Sequence, residues 1–126
     1  EEQENRQDAM KRICKSCHST DWTNGHFAKL DSTIEETNQM TLAATQLMVE
    51  AWEKGIEDKS NPFDEAIEKL WIKQWLFYAS SIRYASAMTG APDYAAFKNG
   101  WWELSDTLQK MRNQIDVREE LKKSKK

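Results

Sequence analysis

The apolar residues in the last third of the chain recur at alternating three- and four-residue spacing, and this pattern constrains the fold more than any other feature. They are Tyr94, Phe97, Trp101, Leu104, Leu108, Met111 and Ile115. Such spacing places side chains on one stripe of an α-helix. We therefore predict a long helix that ends where charged residues take over at Arg118. Within it, we expect Gly100 to permit close approach of another backbone or a flat ligand.

Two earlier segments have the same helical character. One follows Ser32 and Glu35, which stand in the S-x-x-E arrangement of a capping box, and it ends at Gly55, a natural residue for the position after a helix. The other begins at Asn61 and Pro62 and carries a stripe made of Trp71, Trp75, Tyr78, Ile82 and Ala85. Because the connections are short, we expect neighbouring helices to be antiparallel.

The composition favours helices and argues against both a nucleic-acid partner and a membrane span. The 126 residues include only four Gly and two Pro, too few for a turn-rich β-sandwich. The 18 basic and 21 acidic residues are interspersed, so no basic face is available for a phosphate backbone and we expect no nucleic-acid partner. The most apolar stretch, LWIKQWLFYA, is too short and too polar to cross a bilayer. We therefore predict an all-α chain without a membrane span.

Both cysteines and one of the two histidines lie within residues 14–18, CKSCH. A thioredoxin-type redox site would place the cysteines after a strand, and no strand pattern precedes them. A structural zinc ion could use Cys14, Cys17, His18 and His26, although the seven residues between the histidines exceed the usual spacing. Two free structural cysteines are a third interpretation.

C-x-x-C-H is also the attachment signature of c-type haem. On one helical turn the two cysteines reach two vinyl-derived carbons of the porphyrin, and the imidazole of the next residue binds the iron. Because this gives Cys14, Cys17 and His18 each a role, one covalent haem c is the interpretation that we prefer. His26 is either an axial ligand, more easily of a neighbouring haem, or an ordinary polar residue. Core filling is the simpler role for the other ligand candidates, Met10, Met40, Met48, Met88 and Met111.

Haem attachment also predicts a compartment. The maturation of c-type cytochromes takes place outside the cytoplasmic membrane, so we expect a periplasmic protein or one in an equivalent lumen. The sequence begins at Glu1 without an initiator Met or an apolar leader. This fits an export signal that was removed or that belonged to a longer precursor.

Aromatic residues are numerous, with six Trp, three Tyr and four Phe. A single bundle of three helices cannot easily bury so many rings. We therefore expect part of this aromatic surface to meet another chain in an oligomer.

Two stretches resemble the C-terminal part of hydroxylamine oxidoreductase and related octahaem cytochromes. The first is CKSCHSTDWTNGHF, residues 14–27, and the second is RYASAMTGAPDYAAFKNGWWEL, residues 83–104. The more specific part of the second is its G-x-x-D-Y-x-x-(aromatic)-x-x-G-(aromatic)-x-E-L pattern, from Gly90 to Leu104. The resemblance covers most of the chain.

The resemblance implies a trimer in which bis-histidine haems pass electrons to one another, with Cys14, Cys17 and His18 carrying the last haem. It implies hydroxylamine or hydrazine as the small nitrogen-compound substrate, with reductases among the relatives. It also implies that a tyrosine joins the catalytic haem of the neighbouring subunit. We prefer Tyr84 for this role over Tyr94, because core packing is enough to explain the place of Tyr94 on its stripe.

The sequence has one CxxCH, whereas the family that it resembles is octahaem, so we do not expect a complete enzyme. We predict an all-α chain with a haem-bearing segment at 1–29, a bundle of three long antiparallel helices at 30–118 and a basic tail at 119–126. We expect it to transfer electrons within a hydroxylamine oxidoreductase-like assembly, with other haem-bearing chains and a redox partner cytochrome. Two alternatives stay open: a stand-alone monohaem cytochrome c and a zinc-stabilised helical interaction module.

Overall fold

A computed structural model of the chain describes residues 1–57, 60, 65–88 and 100–124. Over these ranges the chain forms helices and turns and no strand, which confirms the all-α prediction. The α-helices are α1 (Glu2–Cys14), α2 (Thr20–Glu53), α3 (Ala66–Ile72), α4 (Ala79–Met88) and α5 (Trp102–Ser124), and a π-helical segment (Lys73–Tyr78) joins α3 to α4. None of the helices described is both long enough and apolar enough to cross a membrane.

The chain divides into two compact units, Glu1–Ser32 and Thr33–Lys126. The first unit consists of α1 and the beginning of α2. Acidic residues occupy the first turn of α1 and basic residues its last turn, which favours the helix dipole. No residue of α1 is buried. Local helix signals, rather than a buried apolar core, therefore specify this part of the structure.

The start of α2 differs from the prediction. Ser32 and Glu35 lie inside the helix, so the predicted capping box at this position is wrong. The helix begins at Thr20 because the side chain of Ser19 caps it: Ser19 Oγ accepts a hydrogen bond from the backbone N–H of Trp22 at 3.1 Å. No proline follows to end the helix, so it continues through the polar stretch that was predicted to precede it.

The end of α2 agrees with the prediction. Gly55 adopts a φ of 67°, a conformation that side chains with a Cβ rarely take. Its amide donates to the carbonyl of Trp52 at 3.1 Å, and the amide of Ile56 donates to the carbonyl of Ala51 at 3.0 Å. These two bonds form a Schellman motif, which satisfies carbonyls at the end of the helix.

The second unit has a packed apolar core in two clusters. The first joins α2, α3 and α5 through Ala44, Met48, Ala51, Ile67, Met111 and Ile115. The second joins α4 and α5 through Ala79, Ile82 and Leu104, with Met40, Tyr78 and Trp101 packed against it. The predicted C-terminal stripe is thus confirmed at Leu104, Met111 and Ile115, whereas Tyr94 and Phe97 lie outside the described residues.

Side-chain contacts give the direction of the helices in this unit. Toward the C-terminus of α2, its partners on the next helices come from progressively earlier positions: Asn38 pairs with Arg83 at 2.7 Å, Thr45 with Trp71 at 3.1 Å and Trp52 with Glu68 at 3.0 Å. Its partners on α5 come from later positions: Glu50 pairs with Arg112 and Lys54 with Glu119. Therefore α2 runs antiparallel to α3 and α4 and parallel to α5.

The helical segment formed by α3, the π-helical segment and α4 begins at a capping glutamate and contains a change of register. Asn61 and Pro62, the predicted start, lie outside the described residues; α3 has Glu65 at its N-cap, and the Glu65 amide donates to Glu68 Oε2 at 3.1 Å. The π-helical segment then shifts the register, so that Gln74 is fully buried and its Nε2 donates to the carbonyl of Met40 at 2.9 Å. The apolar stripe alone did not predict this polar contact.

Gly100 allows the close helix contact that its position predicted. A Cβ atom at this residue would lie 2.7 Å from the backbone oxygen of Tyr78 and would also overlap the side chain of Ile82. Only a residue without a side chain fits between these groups. Gly100 therefore permits the C-terminal helical segment to approach the π-helical segment closely.

The C-terminal helix extends beyond the predicted start of a basic tail at residue 119. It continues through Ser124, and two contacts hold its end against α2. Lys54 forms an ion pair with Glu119 at 2.6 Å, and Lys122 Nζ donates to the carbonyl of Lys54 at 2.7 Å. Basic side chains in the last turn also favour the negative end of the helix dipole.

Candidate functional site

The two cysteines lie on one helical turn in the first unit. Cys14 is the last residue of α1, and its carbonyl accepts hydrogen bonds from the amides of Cys17 at 3.2 Å and His18 at 2.9 Å. Ser16, between the cysteines, donates its hydroxyl to the carbonyl of Ile13 at 2.7 Å. The turn therefore carries two thiols, three residues apart, and an imidazole directly after the second thiol, on a hydrogen-bonded backbone.

These three side chains are accessible. Both thiols are free; Cys14 is half-buried and Cys17 is exposed, and His18 is also exposed. Apolar side chains on the same helix are exposed as well: Met10 by 51% and Ile13 by 66%. Apolar surface of this kind beside two reactive side chains is suited to a flat, hydrophobic group attached at the thiols.

His18 is the first member of a stack of three rings on α2 and the turn before it. The rings of His18 and Trp22 are 3.7 Å apart between centroids and 14° from parallel, and those of Trp22 and His26 are 5.3 Å apart and 1° from parallel. The three residues are spaced by four, so they share one face of the helix. Sequence reasoning missed the stacking of Trp22 between the two histidines, although its spacing from them is a signal that could have identified it.

His26 has a second aromatic neighbour. The ring of Phe27 meets it edge-on, with centroids 5.7 Å apart and an angle of 84°, and Lys11 Nζ lies 5.4 Å from the centroid of Phe27. The contact between Lys11 and Phe27 joins α1 to α2. His26 is half-buried among these rings.

The predicted zinc ligands do not converge. No group of three or more His, Cys, Asp or Glu side chains that could hold a metal ion occurs in the part of the chain that the structure describes, and this part includes all four proposed ligands. His18 and His26 are instead separated by the ring of Trp22. The donor set of the cysteine turn, two thiols and one adjacent imidazole, fits thioether attachment with one iron ligand.

The tyrosine that we prefer as a cross-linking residue lies in the second unit. Tyr84 is on α4 and 71% of its side chain is exposed. Phe77, seven residues earlier in the π-helical segment, is also exposed. Tyr94 lies outside the described residues. The structure thus leaves the Tyr84 ring accessible to a group from outside its own unit.

Ion pairs centred on Arg112 lie at the contact between α2 and α5. Arg112 binds Glu50 at 3.0 Å and Asp116 at 2.6 Å. The hydrogen bond from Arg112, followed by the one from Lys54, holds the pKa of Glu50 below its ordinary value of 4.5. The bonds to Glu50 and then Asp116 raise the pKa of Arg112. The charged forms of both groups are therefore favoured, and the ion pair between Glu50 and Arg112 connects α2 to α5.

A groove of about 550 Å³ lies between α2 and α5 beside these ion pairs. Its described lining is apolar in the middle, with Met40, Leu47 and Leu108, and carries Glu50 and Arg112 at one end. Among those lining residues there is no cysteine, histidine or tyrosine. Cys14, Cys17 and His18 are therefore not part of this groove.

Comparison with known proteins gives one informative similarity. No protein-family profile matches the chain, and no curated protein matches it. A solved structure described as "Hypothetical multiheme protein" is 39% identical over 94% of this chain, with a TM-score of 0.84. The chain spans 23% of the length of that protein. This similarity supports a relationship to multihaem cytochromes and does not single out hydroxylamine oxidoreductase.

Proposed function

We propose that this chain carries a covalently attached c-type haem and transfers electrons as a segment of a multihaem assembly. The observation that carries the proposal is the CxxCH turn, with its two free thiols and exposed imidazole, in a chain that is 39% identical to a multihaem protein. Cys14 and Cys17 form the thioethers, and His18 binds the iron. When bound, the haem supplies a reversible one-electron couple.

The residues of the first unit perform the tasks that such a site requires. The helical turn carries both cysteines, three residues apart. The hydrogen bonds from the amides of Cys17 and His18 to the Cys14 carbonyl keep His18 on the same turn. The exposed side chains of Met10 and Ile13 can cover apolar porphyrin edges and exclude water, which affects the iron potential. In this proposal, the first unit is the haem-bearing segment that the sequence predicts.

His26 is the axial ligand of a neighbouring haem in this proposal. It lies two helical turns beyond His18, and the stacked ring of Trp22 stands between them. This placement favours binding of a different iron. The other haems belong to further parts of the assembly, in keeping with the 23% of the multihaem protein that this chain spans.

The finer proposal is a hydroxylamine oxidoreductase-like assembly in the periplasm or an equivalent lumen. It rests on the resemblance of residues 14–27 and 83–104, which makes hydroxylamine or hydrazine the substrate of the whole assembly, a trimer the expected oligomer and a cytochrome the redox partner. The exposure of Tyr84 and Phe77 supports a role of α4 at a subunit interface, where Tyr84 would reach the haem of a neighbouring subunit. Tyr94 remains the alternative for this role.

The test is the intact mass of the denatured chain after production in a host that matures c-type cytochromes. Thioether bonds survive denaturation, whereas a coordinated zinc ion does not, so we expect the chain mass plus one haem. The double variant Cys14→Ser/Cys17→Ser should carry no haem. Ser16→Ala is the matched control, because Ser16 lies between the cysteines and its side chain bonds only to a backbone carbonyl and the neighbouring sulfur.

A chain mass without haem, in a host that loads a control cytochrome, would refute the proposal. The finer proposal has its own test in the native assembly. Digestion should release a peptide containing Tyr84 that carries the mass of a haem not attached to Cys14 and Cys17. An unmodified Tyr84 peptide would remove that residue from the active site and leave the electron-transfer function intact.

A further inference from the structure

The stack of His18, Trp22 and His26 forms a continuous aromatic connection along one face of the first unit. The His18 and Trp22 rings are in van der Waals contact at a centroid distance of 3.7 Å, and the Trp22 and His26 rings are parallel to within 1°. Offset stacking of this kind brings the π systems of neighbouring rings close together. No such connection is needed for haem attachment, which uses only residues 14–18.

Local structure holds Trp22 in this position. Its backbone N–H donates to the capping hydroxyl of Ser19 at 3.1 Å. The adjacent Thr23 is fully buried, and its hydroxyl donates to the carbonyl of Ser19 at 2.9 Å. The first turn of α2 is thereby fixed on both sides of Trp22. The indole nevertheless remains 47% exposed, so burial in a core does not explain its placement.

We propose that Trp22 is the electron-transfer bridge between the iron bound by His18 and a second redox centre bound by His26. The inference rests on the proposed function, because it needs iron at His18. Electrons tunnel more readily through overlapping π systems than across a gap of the same length, and Trp22 fills the space between the two imidazoles. It acts by coupling the two centres and does not bind either metal.

The step is a one-electron transfer between two metal centres. The reduced centre loses one electron and the oxidised centre gains it, while Trp22 keeps its own electrons and its indole proton. No bond forms or breaks. The residue therefore affects the rate of transfer and not the driving force, which depends on the two metal potentials.

The arrangement of the neighbouring rings provides a control. Phe27 also contacts His26, but edge-on, with an angle of 84° between the rings, rather than in the parallel arrangement of Trp22 and His26. If any aromatic neighbour of His26 were enough, Trp22 and Phe27 would contribute alike. If the stack carries the electron, only the loss of Trp22 slows the transfer.

The experiment uses the haem-loaded full chain with a ruthenium complex attached at His26. The chain has two histidines, and iron ligation protects His18, so labelling is specific to His26. After flash excitation of the ruthenium centre, transfer between ruthenium and haem iron is followed by haem absorbance. We expect Trp22→Leu to slow this rate by about tenfold or more and Trp22→Phe to retain most of it. Phe27→Leu should leave it within about twofold of the parent.

Two further measurements distinguish a bridge from a structural role. The haem spectrum and the iron potential of Trp22→Leu should equal those of the parent; a slower rate accompanied by a changed spectrum or potential would mean that Trp22 only positions His18, and would overturn the inference. In the haem-free chain, NMR should show ring-current shifts of both imidazoles that disappear in Trp22→Leu. Absence of these shifts would also overturn it.

The outcomes separate this inference from the proposed function. A chain that takes up no haem refutes the proposed function, and the bridge falls with it. A chain that carries haem but transfers electrons at the same rate in Trp22→Leu as in the parent refutes the bridge alone. Equal slowing in Phe27→Leu would likewise refute it, because that result would assign the effect to His26 packing.

Discussion

The two units of this chain are built by different means. Among the described residues of the second unit, ten apolar side chains are buried, and nine of them form the two clusters that join α2, α3, α4 and α5. In the first unit, all of which the structure describes, Thr23 is the one buried residue, and large apolar side chains such as Ile13 and Trp22 are exposed. The second unit buries apolar side chains against one another, whereas the first unit leaves apolar side chains exposed beside its cysteines and His18.

This difference indicates which unit depends on a bound group. Burial of apolar surface is the main favourable contribution to folding, and a segment of 32 residues cannot bury enough of it alone. A covalent haem would supply a large apolar surface at the place where the first unit lacks one. The described helices of the second unit bury their apolar side chains against one another instead.

The largest expected effect comes from opening the core of the second unit. Met111 is fully buried in the cluster that joins α2, α3 and α5, so Met111→Ala should lower the free energy of unfolding by about 2–5 kcal/mol. Ile13→Ala in the haem-free chain should change it by less than about 0.5 kcal/mol, because that side chain is exposed. Urea unfolding followed by circular dichroism measures both. Similar losses in the two variants would contradict the contrast between the units.

The next effect concerns the first unit. Haem attachment should raise the local stability of residues 1–32 by about 1.5–3 kcal/mol, the value of covering one large apolar side chain. Hydrogen exchange should therefore slow in α1 and the start of α2 when the parent is compared with Cys14→Ser/Cys17→Ser. Exchange in α5 should not differ between them. Equal protection of the first unit with and without haem would show that it is stable by itself.

Two glycines in helical segments test the same contrast between the packed second unit and the exposed first unit. At Gly100, a methyl group would meet the Tyr78 backbone oxygen and Ile82, so Gly100→Ala should cost about 1–3 kcal/mol of unfolding free energy. At Gly25 in α2, a Cβ atom has no neighbour within 4 Å, so Gly25→Ala should stabilise the chain by up to about 1 kcal/mol. Thermal unfolding of the two variants gives opposite shifts if the packing is as described. A stabilised Gly100→Ala would disprove the close contact.

The smallest effect is the acid dependence of an ion pair in the second unit. Because the folded state lowers the pKa of Glu50, this group contributes stability above its ordinary pKa of 4.5, and the contribution is lost as the pH falls through the lower folded value. Glu50→Gln should remove about 0.5–1 kcal/mol near neutral pH and flatten the acid side of the stability profile. Glu120→Gln, which alters an exposed pair with Lys123, should not. Parallel profiles for Glu50→Gln and the parent would refute this assignment.

Where the prediction of the fold succeeded, local chemistry was sufficient. Gly55 ends α2 because its conformation favours glycine, and Leu104, Met111 and Ile115 are buried because their spacing follows the helical period. The predicted start of α2 was wrong because two possible N-cap residues precede or lie within the same helix. Ser19 and Ser32 are both good caps by residue type, and only the formed hydrogen bond to Trp22 shows which one acts.

The candidate site shows the same division. The chemistry that we propose for Cys14, Cys17 and His18 follows from residue type and spacing alone, because thioether formation and iron ligation need these groups on one turn. The parallel placement of Trp22 between two imidazoles did not follow, since it depends on the rotamers that the rings adopt on the helix surface. Likewise, sequence could nominate both Tyr84 and Tyr94, but the exposure of Tyr84 required the packed helix.

By itself, the sequence determined the helical class, the end of α2, the inward stripe of α5 and the presence of two thiols and an imidazole on the cysteine turn. Each of these depends on contacts between residues a few positions apart. The tertiary structure decided the π-helical register that buries Gln74 and which groups, the Tyr78 backbone and the Ile82 side chain, lie against Gly100. These features depend on which distant surfaces meet, and the free energy of that packing is not encoded in any short stretch of the chain.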